Sequence, residues 1–186
     1  MLFSLKTALL SLCVLTLGAV LHADDFDLGK AGKLSVAISS KWTATTRPLG
    51  DVGLEISLQP KNKTNAKALI SVFTPKSPLP PVTDAELDRK FTIVCQKFVP
   101  ESVEQKVSLK PYKLQAGHGV YTLFTDALLV DKPSKPGDYK VMEPGIIKLN
   151  DSVQIMVTLF ADDANGYELT AMRSAVESIR LVSLKP

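Results

Sequence analysis

A thiol and an imidazole are the side chains here with the chemistry for covalent or acid–base catalysis, and each occurs once beyond residue 23, as Cys95 and His118. A nucleophilic thiol needs a base within hydrogen-bond reach and an accessible, electropositive setting. Cys95 instead recurs with Leu87, Phe91, Val94 and Phe98 at helical spacing, which predicts a buried, inert thiol. His118 stands between Gly117 and Gly119, a setting that suits a turn at a strand entrance more than a ligand or a base. A serine triad would need that same imidazole, and no Gly-x-Ser-x-Gly elbow is present. The residues therefore predict no catalytic site, and a hydrolase with a dispersed site around His118 stays as an alternative.

Metal and cofactor chemistry is equally sparse. There is no His-x-x-x-His and, beyond residue 23, no cysteine pair. Asp162-Asp163-Ala164-Asn165-Gly166 has the look of a calcium loop. Aligned on its glycine, however, the first ligand position falls on Ala161 and the final acidic position on Met172. A turn and helix cap is the expectation there. Asp24, Asp25 and Asp27 read as a solvated acidic stretch, and no glycine-rich phosphate loop occurs. No cofactor and no metal are expected. Trp42 and the prolines Pro78, Pro80 and Pro81 remain as a possible partner surface, with Trp42 first of all a core residue at a sheet edge. Asn62-Lys63-Thr64 and Asn150-Asp151-Ser152 match glycosylation acceptors, a pattern that short turns also produce.

The compartment is read from the first 23 residues, which look like a secretory signal. Lys6 supplies the positive start, Ala8 to Val20 is an uncharged apolar run, and Leu21-His22-Ala23 ends on a small residue before Asp24-Asp25. The run is shorter than the ~20 apolar residues of a spanning helix. Cleavage is expected after Ala23. Cys13 follows Leu12 with most of the apolar run still ahead of it, so it does not fit a lipidation site. Removing residues 1–23 from the 186 leaves 163, a length that suits one domain with a core of its own. A single remaining cysteine excludes an intramolecular disulfide. The net charge is +3 and the lysines are scattered singly, so the dense basic stripe of a nucleic-acid binder is missing.

The elements that must position these residues follow from periodicity. Lys33–Ile38 and Leu54–Leu58 alternate in the strand period, and Ala68–Phe73 is apolar enough for a central strand. Thr74 to Pro81 holds four prolines and reads as an extended connection. Thr83-Asp84-Ala85-Glu86 is a capping box opening a helix that Pro100 stops. Strands are then expected over Val103–Leu109, Gly117–Val130 and Tyr139–Leu149. Pro144-Gly145 marks a bulge or an edge in the last of these. A turn at Asn150-Asp151 leads into Ser152–Phe160, whose Val153, Ile155, Val157 and Leu159 share one face. Met156 and Phe160 make its other face partly apolar, so cover on both faces is expected. A last helix carries Leu169, Met172, Val176 and Ile179, with Asn165 and Glu168 placed to cap it. The fold class predicted is α+β, an antiparallel β-sheet flanked by helices in an α/β/α sandwich.

This layout resembles the Mog1/PsbP-like group, which includes small exported bacterial proteins of the DcrB type. The resemblance rests on Lys33–Ile38 with Trp42, on Leu114-Gln115-Ala116-Gly117, and on Val176-Glu177-Ser178-Ile179. It implies a non-enzymatic binding or accessory role in the bacterial envelope, periplasmic or extracellular. The partner would be an unknown protein or small-molecule ligand, with no nucleic acid and no membrane span once the signal is removed. A carrier of an apolar ligand held between helix and sheet is the second alternative.

Overall fold

β-Branched and aliphatic residues in alternation build most of this chain. The computed structural model describes residues 21–77 and 82–182. Its elements in chain order open with β1 (Leu21–Asp27), β2 (Lys33–Ser39), β3 (Trp42–Pro48), β4 (Gly53–Pro60) and β5 (Lys67–Phe73). Helix α1 (Asp84–Cys95) follows, then β6 (Lys110–Pro111), β7 (His118–Tyr121), β8 (Phe124–Thr125), β9 (Val141–Asn150) and β10 (Val153–Ala161). Helix α2 (Tyr167–Glu177) and β11 (Arg180–Val182) close the order. The result is a mixed α+β fold of antiparallel sheets and two helices. A three-stranded sheet runs β1-β2-β11, and the larger sheet runs β3-β4-β5-β10-β9-β7-β6, with β8 also paired to β9. The predicted cleavage point Ala23–Asp24 falls inside β1, opposite Ala37 and Val36.

Parity along the strands sends side chains to two cores. Ile155, Val157 and Leu159 of β10 and Ile147 of β9 face α2, packing with its buried Leu169, Met172 and Val176 and with Leu34 and Val36 of β2. Met142 and Ile146 of β9 point to the opposite face, where Phe91 and Cys95 of α1 meet Val120 and Phe124. The two helices therefore lie on opposite faces of the large sheet. Cover on the α1 side is partial: Met156 of β10 is 45% exposed, so this strand is not covered on both faces as expected. Helix α1 packs mainly on β9.

Both helices start near the expected places. Thr83 Oγ1 accepts from Glu86 N and Glu86 Oε2 accepts from Thr83 N, the reciprocal cap that the sequence predicted. Val94, placed on the buried stripe, is exposed instead. Helix α2 is capped at Gly166 with no side-chain bond, so Asn165 does not serve as its cap; Asp163 Oδ1 accepts from Asn165 N within the preceding turn.

Three strand expectations change. Val103–Leu109 forms no strand, because Gln105 turns the backbone at φ 52° and the Glu104 carboxylate accepts from Thr125 N and Oγ1 where a neighbouring strand would have paired. The Gly117–Val130 stretch breaks into β7 and β8, and its end turns outward with Leu128 69% exposed. Pro144 lies inside β9, an interior strand, and at neither an edge nor a bulge of it. Its carbonyl accepts from Thr122 N at 3.1 Å, so its missing donor faces the same side, where the neighbouring ladder is broken between Tyr121 and Phe124. The sequence also passed over β3, whose Thr43-Ala44-Thr45-Thr46 pairs with β4 as an edge strand. Pro78, Pro80 and Pro81 lie outside the described residues.

Cys95 is fully buried against Phe91, Val120 and Phe124, and burial pushes its thiol up to about 11. The thiolate that reacts is scarce there at neutral pH. Native protein should resist a maleimide over hours and take up one equivalent only on unfolding, read by intact mass. Fast stoichiometric labelling of the folded chain contradicts this placement.

Candidate functional site

His118 is better held than its flanking glycines suggested. On β7 it faces the first turns of α1, where Asp88 Oδ1 lies 2.7 Å from Nε2 and Asp84 Oδ2 lies 3.7 Å from Nδ1. The spacing of Asp84 and Asp88, one helical turn, puts both carboxylates on the face that meets the sheet. The imidazole therefore docks a helix, which corrects its reading as a turn residue at a strand entrance. Asp88 engages Nε2, whereas Asp84 at 3.7 Å faces Nδ1 from beyond hydrogen-bond reach. His118→Ala should cost about 1.5–3 kcal/mol, the usual worth of a hydrogen bond to a charged group. Urea melts would show it, together with faster amide exchange in the first turn of α1. Unchanged melts would return His118 to a bystander.

A second polar cluster lies on the opposite face, and it has no local signature in the sequence. Glu143 of β9 is fully buried and accepts from Nε and Nη2 of Arg173 on α2, the Nε distances being 3.1 Å to each oxygen. The Tyr121 ring sits 5.0 Å from the same guanidinium and 4.8 Å from the Tyr112 ring. Burial pushes the Glu143 carboxyl up, against the pull of Arg173, while Glu143 holds the guanidinium charged. Tyr112 is raised well above the ordinary phenol range by burial, and its hydroxyl has no partner among the described residues. Gly145 makes room for it, since a Cβ there would collide with the phenol. Carboxylate and aromatic ring occupy the guanidinium, so the cluster latches α2 to the sheet and leaves that fork closed to an anionic ligand.

The candidate site is an aromatic cleft at the end of the large sheet. It has a volume of about 380 Å³. Phe98, in the 3₁₀ turn after α1, packs at 5.7 Å against Phe124 of β8. Tyr139, just ahead of β9, packs at 5.1 Å against Phe160 of β10. The two ring pairs form the apolar walls, with Met142 also lining the cleft. Glu101, Asp126 and Asp138 are acidic residues of its lining, against one basic residue, Lys140. Apolar walls with a few charged groups of one prevailing sign are the usual make-up of a small-ligand site.

No family model matches this chain, and no curated protein matches it.

The loop that frames the cleft is clamped by one residue. Asn65 Nδ2 donates to the carbonyls of Lys135 and Asp138, at 3.3 and 3.2 Å, and to Asp162 Oδ1 at 2.9 Å. Asn65 Oδ1 accepts from Gly137 N at 3.0 Å. Asp126 N bonds to the Lys140 carbonyl and Ala127 N to that of Glu101, which seats both ends of the loop. Nothing local in the sequence distinguishes Asn65 from an ordinary turn asparagine; its partners are about seventy residues or more away. Trp42 lies elsewhere, 6% exposed at the start of edge strand β3, where a core residue at a sheet edge was expected. Among the described residues no group of three His, Cys, Asp or Glu is placed to hold a metal. No described helix is long and apolar enough to cross a membrane.

Proposed function

We propose that this chain is an exported, non-enzymatic binding protein of the bacterial envelope, built on a Mog1/PsbP-like α/β/α sandwich. Its ligand is a small molecule with an apolar or aromatic body and a cationic group. The aromatic cleft carries this reading: four rings stack a flat apolar body, and three acidic residues against one basic residue favour positive charge. The cleft opens between sheet and loop instead of between helix and sheet, so it modifies the apolar-carrier alternative in both place and charge. Helices on both faces of the large sheet support the sandwich, and the apolar run before Asp24 supports export. A hydrolase site around His118 finds no support in its hydrogen-bond partner among the described residues, which is the Asp88 carboxylate and not a hydroxyl or thiol.

The test uses 2-phenylethylammonium and its charge-inverted counterpart 3-phenylpropanoate. The cation should bind saturably and perturb the Tyr139 and Phe124 ring resonances, and the anion should bind at least about tenfold more weakly, a difference of about 1.4 kcal/mol. Asp126→Asn with Asp138→Asn should narrow that gap. Equal affinity for the two probes, or no saturable shift from the cation, sinks the proposal.

A further inference from the structure

We infer that two adjoining clefts at Trp42 and Tyr167 form a second binding site, one that takes a short apolar carboxylate. Tyr167, the first residue of α2, is 53% exposed and stands between them, lining both together with Trp42. The inner cleft holds about 250 Å³, walled by Ile38 and Leu58 on the strands and by Met172 on the helix. Ala171 and Ala175 leave it open on the α2 side, because larger side chains there would fill it. The outer cleft holds about 170 Å³, and Lys41 and Lys61 line it with Glu168.

The charge at the mouth selects the occupant. Lys41 Nζ lies 5.5 Å from the Tyr167 ring centroid, and Lys61 Nζ donates to the Ser40 carbonyl at 2.8 Å. A ring face and a carbonyl attract an ammonium without neutralising it. Neither lysine forms an ion pair among the described residues, and both are exposed at the rim. Two ammonium groups against the single carboxylate of Glu168 leave the mouth positive, the opposite sign to the aromatic cleft. An apolar chamber behind a positive mouth fits a molecule with an aliphatic tail and an anionic head. The tail lies beside Trp42, and the carboxylate meets Lys41 and Lys61.

Trp42 is the single tryptophan of the chain, so its emission reports on this site alone. Sodium hexanoate titrated into the full chain should change that emission saturably, and hexylammonium should act at least about tenfold more weakly. Lys41→Glu combined with Lys61→Glu should weaken hexanoate about tenfold or more without moving the thermal midpoint, since both side chains are exposed. Ala171→Met should fill the inner chamber and abolish the response; if that variant does not fold, the lysine variant still decides. No saturable change with hexanoate up to about 10 mM overturns the inference, since that concentration lies above the millimolar affinity of even a weak site. Equal response to the two probes, or unchanged affinity in the lysine variant, overturns it as well. 2-Phenylethylammonium seated in the aromatic cleft leaves Trp42 emission unchanged, so the two sites fail or stand separately.

Discussion

Val157→Asp is expected to leave the chain largely unfolded at neutral pH, with a loss of roughly 4 kcal/mol or more, at the extreme of single substitutions. Val157 is buried on the central strand β10, opposite Ile70 of β5 and Gly145 of β9. Its neighbours along the face, Ile155 and Leu159, are fully buried and apolar. A carboxylate introduced there gives up its water and finds no cation in exchange; the flanking backbone groups are spent in the ladder, and the Tyr112 hydroxyl over Gly145 offers at most one neutral donor. Folding would force the new carboxyl to protonate, so its folded pKa lies above its unfolded one. The linkage sign follows: the deficit is smallest below the unfolded value near pH ~3.9 and grows as pH rises through the folded value. Val157→Thr, close in shape and uncharged, should lose far less. Denaturation of the three proteins by urea at two pH values tests this, and a Val157→Asp melt near wild type would mean that β10 is not the centre of the core.

The placement of Val157 was legible because the strand period is local. Val153, Ile155, Val157 and Leu159 announce one buried face without knowledge of any other strand, and all four are buried. The α2 stripe of Leu169, Met172 and Val176 and the Thr83–Glu86 cap were legible for the same reason. What stayed hidden depends on register between distant segments. His118 and Asp88 are thirty positions apart, as are Glu143 and Arg173, and neither pair has a local signature. Pro144 suggested a bulge or an edge, and it is neither; its missing donor faces the gap between β7 and β8 in the neighbouring ladder. Val120 and Phe124 face α1 as parts of two short strands, whereas the apolar residues up to Val130 suggested one long one. The aromatic cleft combines both limits. Its four rings come from a 3₁₀ turn, two strands and a loop, and only their pairing shows that Phe98 meets Phe124 and Tyr139 meets Phe160.

Arg173→Met should cost about 3–5 kcal/mol, the usual consequence of removing one partner from a buried ion pair. The loss comes less from the missing attraction than from what remains: Glu143, fully buried in β9, with Leu159 in register beside it and no guanidinium to satisfy its oxygens. Glu143→Leu combined with Arg173→Met should recover most of that loss, because well-packed apolar replacements remove the desolvation cost together with the pair. The cycle separates a latch from a net stabiliser: a double variant close to wild type means that the pair specifies how α2 seats on the sheet and adds little stability of its own. The pH dependence carries an independent sign. Burial already holds the Glu143 carboxyl above its ordinary value, and removal of Arg173 takes away the main opposing pull. A raised folded pKa contributes stability below the unfolded value that is lost as pH rises through the folded one, so the Arg173→Met deficit should be smallest in acid and grow toward neutrality. A deficit that instead grew as the pH fell would mean that Glu143 finds another donor, and the nearest unmatched one is the Tyr112 hydroxyl.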